Sequence, residues 1–365
     1  MMPVKSRSGK RTIAKTLATT LILLLVLASI SGPAFARESP FTIMMVVWRG
    51  CEDACRGFQD YLQERGIAAE IIVRDAARKR DLLAGFVREA KDRKVDLVVT
   101  WGTSVTLGMV GPIDAVDSHR HITGIPVVFM IVADPVGAKV VAGYESSNRV
   151  NVTGTRNRVP ESVQLKAIRA YRPFRRLGLV YNRNELNSVL NADKIAALST
   201  DMGFELISHE MPLRENGKPS ADDIPAAISL MKEAEVEFVY VGSSSFLMAN
   251  RDRFTNEALK MGLPVAAAYE AMATKSHALV AVASRYYSVG RLAGFQAEQI
   301  LAKEIPPIAI PIRSLSRFSY VINMESARRL AAYPPLSVLR YAEVVNGTPG
   351  TTPLIQSQEL LPKSQ

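Results

Sequence analysis

The residues best suited to chemistry in this chain lie just past short apolar runs. Trp48, Trp101, Tyr269, Tyr286 and Tyr287 each follow such a run and offer flat faces for stacking. Beside them sit small hydroxyl and amide residues. Thr103 and Ser104 follow Trp101-Gly102, where a helix is expected to start. Either would cap that helix and expose backbone N–H groups, which attract a carboxylate or another anion. Asn182, Asn187 and Ser188 repeat this arrangement, as do Ser243 and Ser244. Asp134 before Pro135, and Glu270 after Tyr269, add acids that could pair with an ammonium group. Plain helix capping and core or hinge packing would use the same residue types.

Bond-breaking chemistry has no comparable signature. Gly102-Thr103-Ser104-Val105-Thr106 is not a nucleophile elbow, because its fifth residue is Thr rather than Gly. No phosphate-cradling Walker loop occurs, and no G-x-G-x-x-G follows the first strand. His119 and His121 flank Arg120 without a carboxylate at ligand spacing, and His209 and His277 stand alone. The reading is therefore no catalytic residue, no metal and no cofactor. The two cysteines, Cys51 and Cys55, are four residues apart, close enough to bridge if a helical turn opens slightly. A disulfide and a pair of free buried thiols both fit.

These residues need a scaffold that brings strand ends together. Ile43 to Trp48, Ile71 to Val73, Leu97 to Thr100 and Val127 to Val132 read as strands, with amphipathic helices between them. After Pro160 the pattern restarts. A helix from Glu161 to Tyr171 leads to a strand at Leu177 to Tyr181, then a helix from Ser188 to Met202 stopped by Gly203. Strands follow at Phe204 to Ser208, Phe238 to Val241, Val265 to Ala268 and Ala278 to Ala283, then a helix from Tyr286 to Leu301. Ile305 to Pro311 reads as extended, Ser316 to Ile322 as a last strand and Met324 to Ala331 as a short helix. The alternation implies parallel sheets in two similar lobes, with ligands held at the carboxyl ends of the strands.

Residues 1–36 read as an export leader. Five Lys/Arg precede an apolar stretch, Leu17 to Ile30, and Ala34-Phe35-Ala36 marks cleavage before Arg37. The stretch is shorter than the ~20 residues of a membrane span. The leader carries five of the 45 basic residues and none of the 35 acids, so the formal charge of +10 falls to +5 after cleavage. That balance, without basic runs interleaved with aromatics, argues against nucleic acid. A soluble monomer beyond the inner membrane is expected, with a disordered tail at 346–365.

Asp134-Pro135-Val136-Gly137-Ala138 followed by Asn151-Val152-Thr153-Gly154 resembles a signature of ABC-transporter substrate-binding proteins of the tryptophan- and tyrosine-uptake type. Leu179-Val180-Tyr181-Asn182 with Asn187-Ser188-Val189, Tyr286-Tyr287-Ser288-Val289-Gly290-Arg291 and Tyr320-Val321-Ile322-Asn323 extend the likeness over residues 41–335. The resemblance implies a type I periplasmic-binding fold: two Rossmann-like α/β lobes with parallel sheets, joined by a three-crossover hinge. It places residues 37–155 with 285–306 in one lobe and 156–284 with 307–345 in the other. It further implies a small-molecule ligand, an amino acid or related small carboxylate, delivered to an ABC permease and its ATPase. A sensory module serving a membrane receptor kinase or chemoreceptor is the alternative. In that frame Trp48, Tyr269 and Tyr286 would wall in an apolar part, Thr103, Ser104 and Ser188 would meet a carboxylate, and Asp134 or Glu270 an ammonium. Asn182, Asn187, Ser243 and Ser244 complete the expected site.

Overall fold

The computed structural model describes residues 39–346. The expected leader and all but the first residue of the expected tail lie outside the described residues. The chain opens with β1 (Phe41–Val47), α1 (Asp53–Glu64), β2 (Ala69–Asp75), α2 (Leu83–Asp92), β3 (Leu97–Trp101), α3 (Thr103–Val110), β4 (Val127–Val132) and β5 (Val152–Arg156). These strands form one parallel sheet in the order β2-β1-β3-β4-β5. Strands β3 and β4 and the inner part of β1 are wholly buried, which is why they read as unbroken apolar runs. The edge strand β2 is only partly covered.

The second half contributes α4 (Glu161–Tyr171), β6 (Arg176–Tyr181), α5 (Leu186–Met202), β7 (Glu205–Glu210), α6 (Ile224–Glu233), β8 (Phe238–Val241), α7 (Ser245–Ala249), α8 (Arg251–Lys260), β9 (Val265–Ala267), α9 (Glu270–Thr274) and β10 (Val280–Ala283). The chain continues through α10 (Tyr286–Leu301), β11 (Ser319–Asn323), α11 (Met324–Arg329), α12 (Leu336–Leu339) and β12 (Glu343–Val345). The second sheet runs β12-β11-β10-β9-β8-β6-β7, parallel except where β11 lies antiparallel to β10. Gly203 ends α5 in the left-handed region, φ 63°. One apolar cluster fills the first lobe, and two more cover the faces of the second sheet.

Helix α10 follows a strand of the second sheet in sequence yet packs on α1 of the first lobe. The two backbones touch. A Cβ on Gly57 would overlap the carbonyl of Tyr287, and one on Gly290 would overlap that of Ala54. Ion pairs Arg65–Glu298 (2.9 Å) and Arg291–Glu64 (2.7 Å) brace the contact. After α10 the chain makes a single 3-10 turn at Pro307–Ala309, not a continuous extended run. It then lies beside β5, where Thr153 Oγ1 donates to the Ile310 carbonyl (2.8 Å) and the Arg156 amide to that of Arg313 (2.8 Å).

Four elements were not expected. β5 is the strand Val-Thr-Gly-Thr-Arg, too polar to stand out as an apolar run. The helix α9, between β9 and β10, is too short for a helical period to show. The other two, α12 and β12, are short and largely exposed. Cys51 and Cys55 form a disulfide, with Cα atoms 5.3 Å apart. Cys51 precedes α1 and Cys55 lies in its first turn, which opens the spacing enough to bridge.

Candidate functional site

The carboxyl ends of the two sheets face each other across a narrow cavity. From the first lobe it is lined by Trp48, Arg49, Trp101, Thr103, Ser104 and Ile131, and from the second by Asn187, Ser243, Ser245 and Tyr269. Tyr286, in the first turn of α10, and Asn157, between β5 and α4, complete it. Its free volume is ≈ 30 Å³, room for a water or two.

Each wall has a local cause. Trp48 and Arg49 follow β1, and the disulfide ties their loop to α1. Arg49 is the charged centre. Its side chain is 6% exposed, donates to Glu52 (2.7 and 3.3 Å) and lies 5.0 Å over the Trp101 ring. Burial works against its charge, but the bonds and charge of Glu52 more than restore it, so its pKa is raised. It also reaches the Ser245 carbonyl across the cleft, at 3.4 Å. Trp101, Tyr286 and Tyr269 meet edge to face in a row, at 6.1 and 6.5 Å. Burial pushes Tyr269 up to about 12 and raises Tyr286 well above its ordinary value, so both keep their phenolic protons.

Gly102, not Thr103 or Ser104, is the N-cap of α3, at φ 87° where glycine is favoured. It has no side chain to cap with, so the first-turn N–H groups at Thr103 and Ser104 have no side-chain cap. On β4 the register shifts between Phe129 and Val132, and Ile131 adopts φ 57°. A β-branched residue there is strained by about 1–3 kcal/mol, a cost that concentrates at functional sites. Trp101 Nε1 and Asn157 Oδ1, both on lining residues, are buried without a partner in the protein. A second buried guanidinium, Arg158, sits 3.7 Å from Glu161 and also leaves one nitrogen unpartnered.

Seven of the twelve expected binding residues line this cavity: Trp48, Thr103, Ser104, Asn187, Ser243, Tyr269 and Tyr286. The other five do not. Asn182, Ser188 and Ser244 are buried and satisfy one another: Ser244 Oγ and Ser188 Oγ donate to Asn182 Oδ1 (2.6 and 3.3 Å), while Ser244 Oγ caps α7 at Leu247 N (3.0 Å). They build the wall of the second lobe rather than its surface. Asp134 accepts from Gly137 N (2.9 Å) and pairs with Lys194 of α5 across the lobes (2.5 Å). Burial opposes its charge, but Lys194 and the Gly137 amide outweigh that, and its pKa is lowered. Glu270 opens into a different interlobe cavity, with Cys51, Asp53 and Lys275. Burial raises its pKa, although Arg285 lies 3.8 Å away. Arg49, Ile131, Asn157 and Ser245 were not anticipated. The signal for Arg49 was its place directly after Trp48 at the end of β1.

Further bonds cross the cleft mouth or stiffen it. Arg80 donates to the Asn184 carbonyl (3.0 Å) and Ser104 Oγ (3.4 Å), and Asn187 Nδ2 to the Ser243 carbonyl (2.9 Å). Glu185 accepts from the amides of Ser245 and Phe246 (2.7 and 2.9 Å), fixing the start of α7.

Solved structures share this architecture. A conserved domain protein from Vibrio cholerae O1 biovar El Tor superposes with TM-score 0.74 at 21% identity, over 84% of this chain and 99% of that one. An ABC domain from Streptococcus pneumoniae, solved with L-Trp, gives 0.72 at 22% identity, over 84% and 99%. A ligand-free, open substrate-binding protein with adhesive properties from Clostridium difficile gives 0.65 at 18%, over 84% and 100%. No curated protein matches the chain. The two α/β lobes are those of the type I periplasmic-binding fold. The sequence profile described as ABC transporter substrate binding protein matches residues 43–346, and with that match over most of its length the chain belongs to the ABC transporter substrate-binding protein family.

Proposed function

We propose that the chain is the extracytoplasmic solute-binding component of an ABC importer, and that its cargo is a small carboxylate with a flat, apolar body. The observation that carries this is Arg49, a buried guanidinium at a cavity that also holds the uncapped N-terminus of α3. Both attract an anion in a low-dielectric site. The Trp101–Tyr286–Tyr269 row supplies aromatic edges and faces for the rest of the molecule. An amino acid would also need a partner for its ammonium. Asp134 is held by Lys194, Glu270 faces another cavity, and no Asp or Glu lines this one. The carboxylate, not the amine, is therefore the selected feature.

The lobes are drawn together by the Arg49–Ser245, Arg80–Asn184 and Asp134–Lys194 contacts, so capture requires them to part and close again around the solute. A closed form would dock on the permease. The test is a thermal-shift and calorimetric comparison of the leaderless chain with indole-3-propionate, L-tryptophan and tryptamine. The two acids should stabilise the protein, by about 2.7 kcal/mol at a hundredfold excess over Kd. Tryptamine should not. Stabilisation by tryptamine equal to that by the acids would overturn the assignment.

A further inference from the structure

A second cavity, ≈ 480 Å³, adjoins the cleft and shares the side chains of Thr103 and Ser104 with it. Its floor is apolar, from Leu83, Ala84, Leu107 and, across the lobes, Leu186. Its rim is basic: Arg80, Arg88, Arg120, His119 and His121. No Asp or Glu lines it. Asp117 lies nearby, but its carboxylate accepts from the His119 amide (2.8 Å) within its own loop. Arg80, Arg88 and Arg120 take part in no ion pair among the described residues. Arg80 stands at the junction, bonded to Ser104 Oγ on one side and to the Asn184 carbonyl of the other lobe. An apolar floor under unpaired guanidinium groups recognises an organic anion, and this one begins where the cleft cavity ends.

We propose that this groove takes a second acidic group of the same cargo, so that the solute is an elongated anion with an acid at each end. One acid meets Arg49 and the α3 N-terminus, and the other meets Arg80, Arg88 and Arg120. The inference rests on the carboxylate reading of the cleft and extends it. The Leu186 and Asn184 contacts give the groove a wall from the second lobe, so it is complete only when the lobes are together.

The test pairs two probes with one ring, phenylacetate and 1,4-phenylenediacetate, titrated calorimetrically into the wild-type protein and into the Arg88→Gln/Arg120→Gln variant. Both substituted residues are exposed and outside the cleft cavity. The diacid should bind wild type about fivefold tighter or more, as expected for partly exposed charge pairs. The variant should lose that advantage and keep its affinity for the monoacid. Equal binding of the two acids by wild type, or an undiminished diacid advantage in the variant, overturns the proposal while leaving the cleft reading intact. Failure of both acids to bind overturns the cleft reading and this one with it. Inorganic phosphate that binds wild type, not the variant, without competing against the monoacid, would mark a separate anion site and overturn the two-ended cargo.

Discussion

Replacing Arg49 by Gln separates its role in binding from its role in the fold. The side chain is 6% exposed, whereas its partner Glu52 is 29% exposed and can recover water. Losing the guanidinium over Trp101 costs about 1 kcal/mol. Adding the partly exposed pair brings the loss in folding stability to about 1–2 kcal/mol, a few degrees in Tm for a chain this long. The loss in affinity is larger. Removing the cation that faces a desolvated carboxylate costs about 2–4 kcal/mol, or roughly 30- to 1,000-fold in Kd. Calorimetry with indole-3-propionate reads the second effect and a thermal melt the first. Glu52→Gln is the control: it frees the guanidinium without removing it, so affinity for the acid should hold or improve. The reasoning is refuted if Arg49→Gln binds within about threefold of wild type. It is equally refuted if Glu52→Gln loses as much as Arg49→Gln, because then loop geometry rather than charge would set affinity.

Three further outcomes are expected. Glu298 is held down to about 2, first by the bond from Arg65 and then by that from Tyr61. Its folded pKa lies below the ordinary 4.5, so its contribution is complete above that value and fades as pH falls from 4.5 towards 2; acid unfolding followed by circular dichroism should lose part of this limb in Glu298→Gln. Gly290→Ala drives a Cβ into the Ala54 carbonyl and should cost about 2–3 kcal/mol, whereas Gly85→Ala, in an uncrowded turn of α2, should be neutral or gain about 0.5–1 kcal/mol; equal melts would contradict the backbone contact of α1 and α10. Asp134→Asn removes an ion pair between the lobes whose Lys194 is 43% exposed, so Tm should shift little, while small-angle scattering should show a larger radius of gyration as the open form gains population. An unchanged radius would count against a clamping role.

The scaffold was readable because buried parallel strands leave a plain mark. Val127–Val132 and Leu97–Trp101 could hardly be anything else, and the rule that ligands sit past strand ends led to Trp48, Thr103, Tyr269 and Tyr286. That rule names loops and does not give the direction of a side chain. Ser188 and Ser244 follow strands as Ser243 does, yet they turn inward to Asn182: Ser188 Oγ accepts from its amide and donates to its Oδ1, and Ser244 Oγ donates to the same Oδ1 while capping the start of α7. Glu270 leaves the same strand end as Tyr269 but begins α9, and so points into the neighbouring cavity. Ile131 and Asn157 were out of reach for a different reason. Their positions depend on a register shift between β4 and β5, a pairing that no local pattern encodes. Arg49 was hidden by its ordinariness, since its weight comes from Trp101, which lies 52 positions away in sequence and directly beneath it in space.

The glycine contact between α1 and α10 bears on how such a protein can be recombined. A chimera that exchanges residues 41–156 between two relatives carries α1 and leaves α10 behind. Gly57 and Gly290 then come from different parents, and a single alanine at either would force the helices apart. Tyr286, on the first turn of α10, would move with that gap and take one wall of the cavity with it. Exchangeable pieces must therefore contain both helices, although residues 157–285, the bulk of the other lobe, lie between the two segments in the chain. The lobe is one unit of packing and two units of gene.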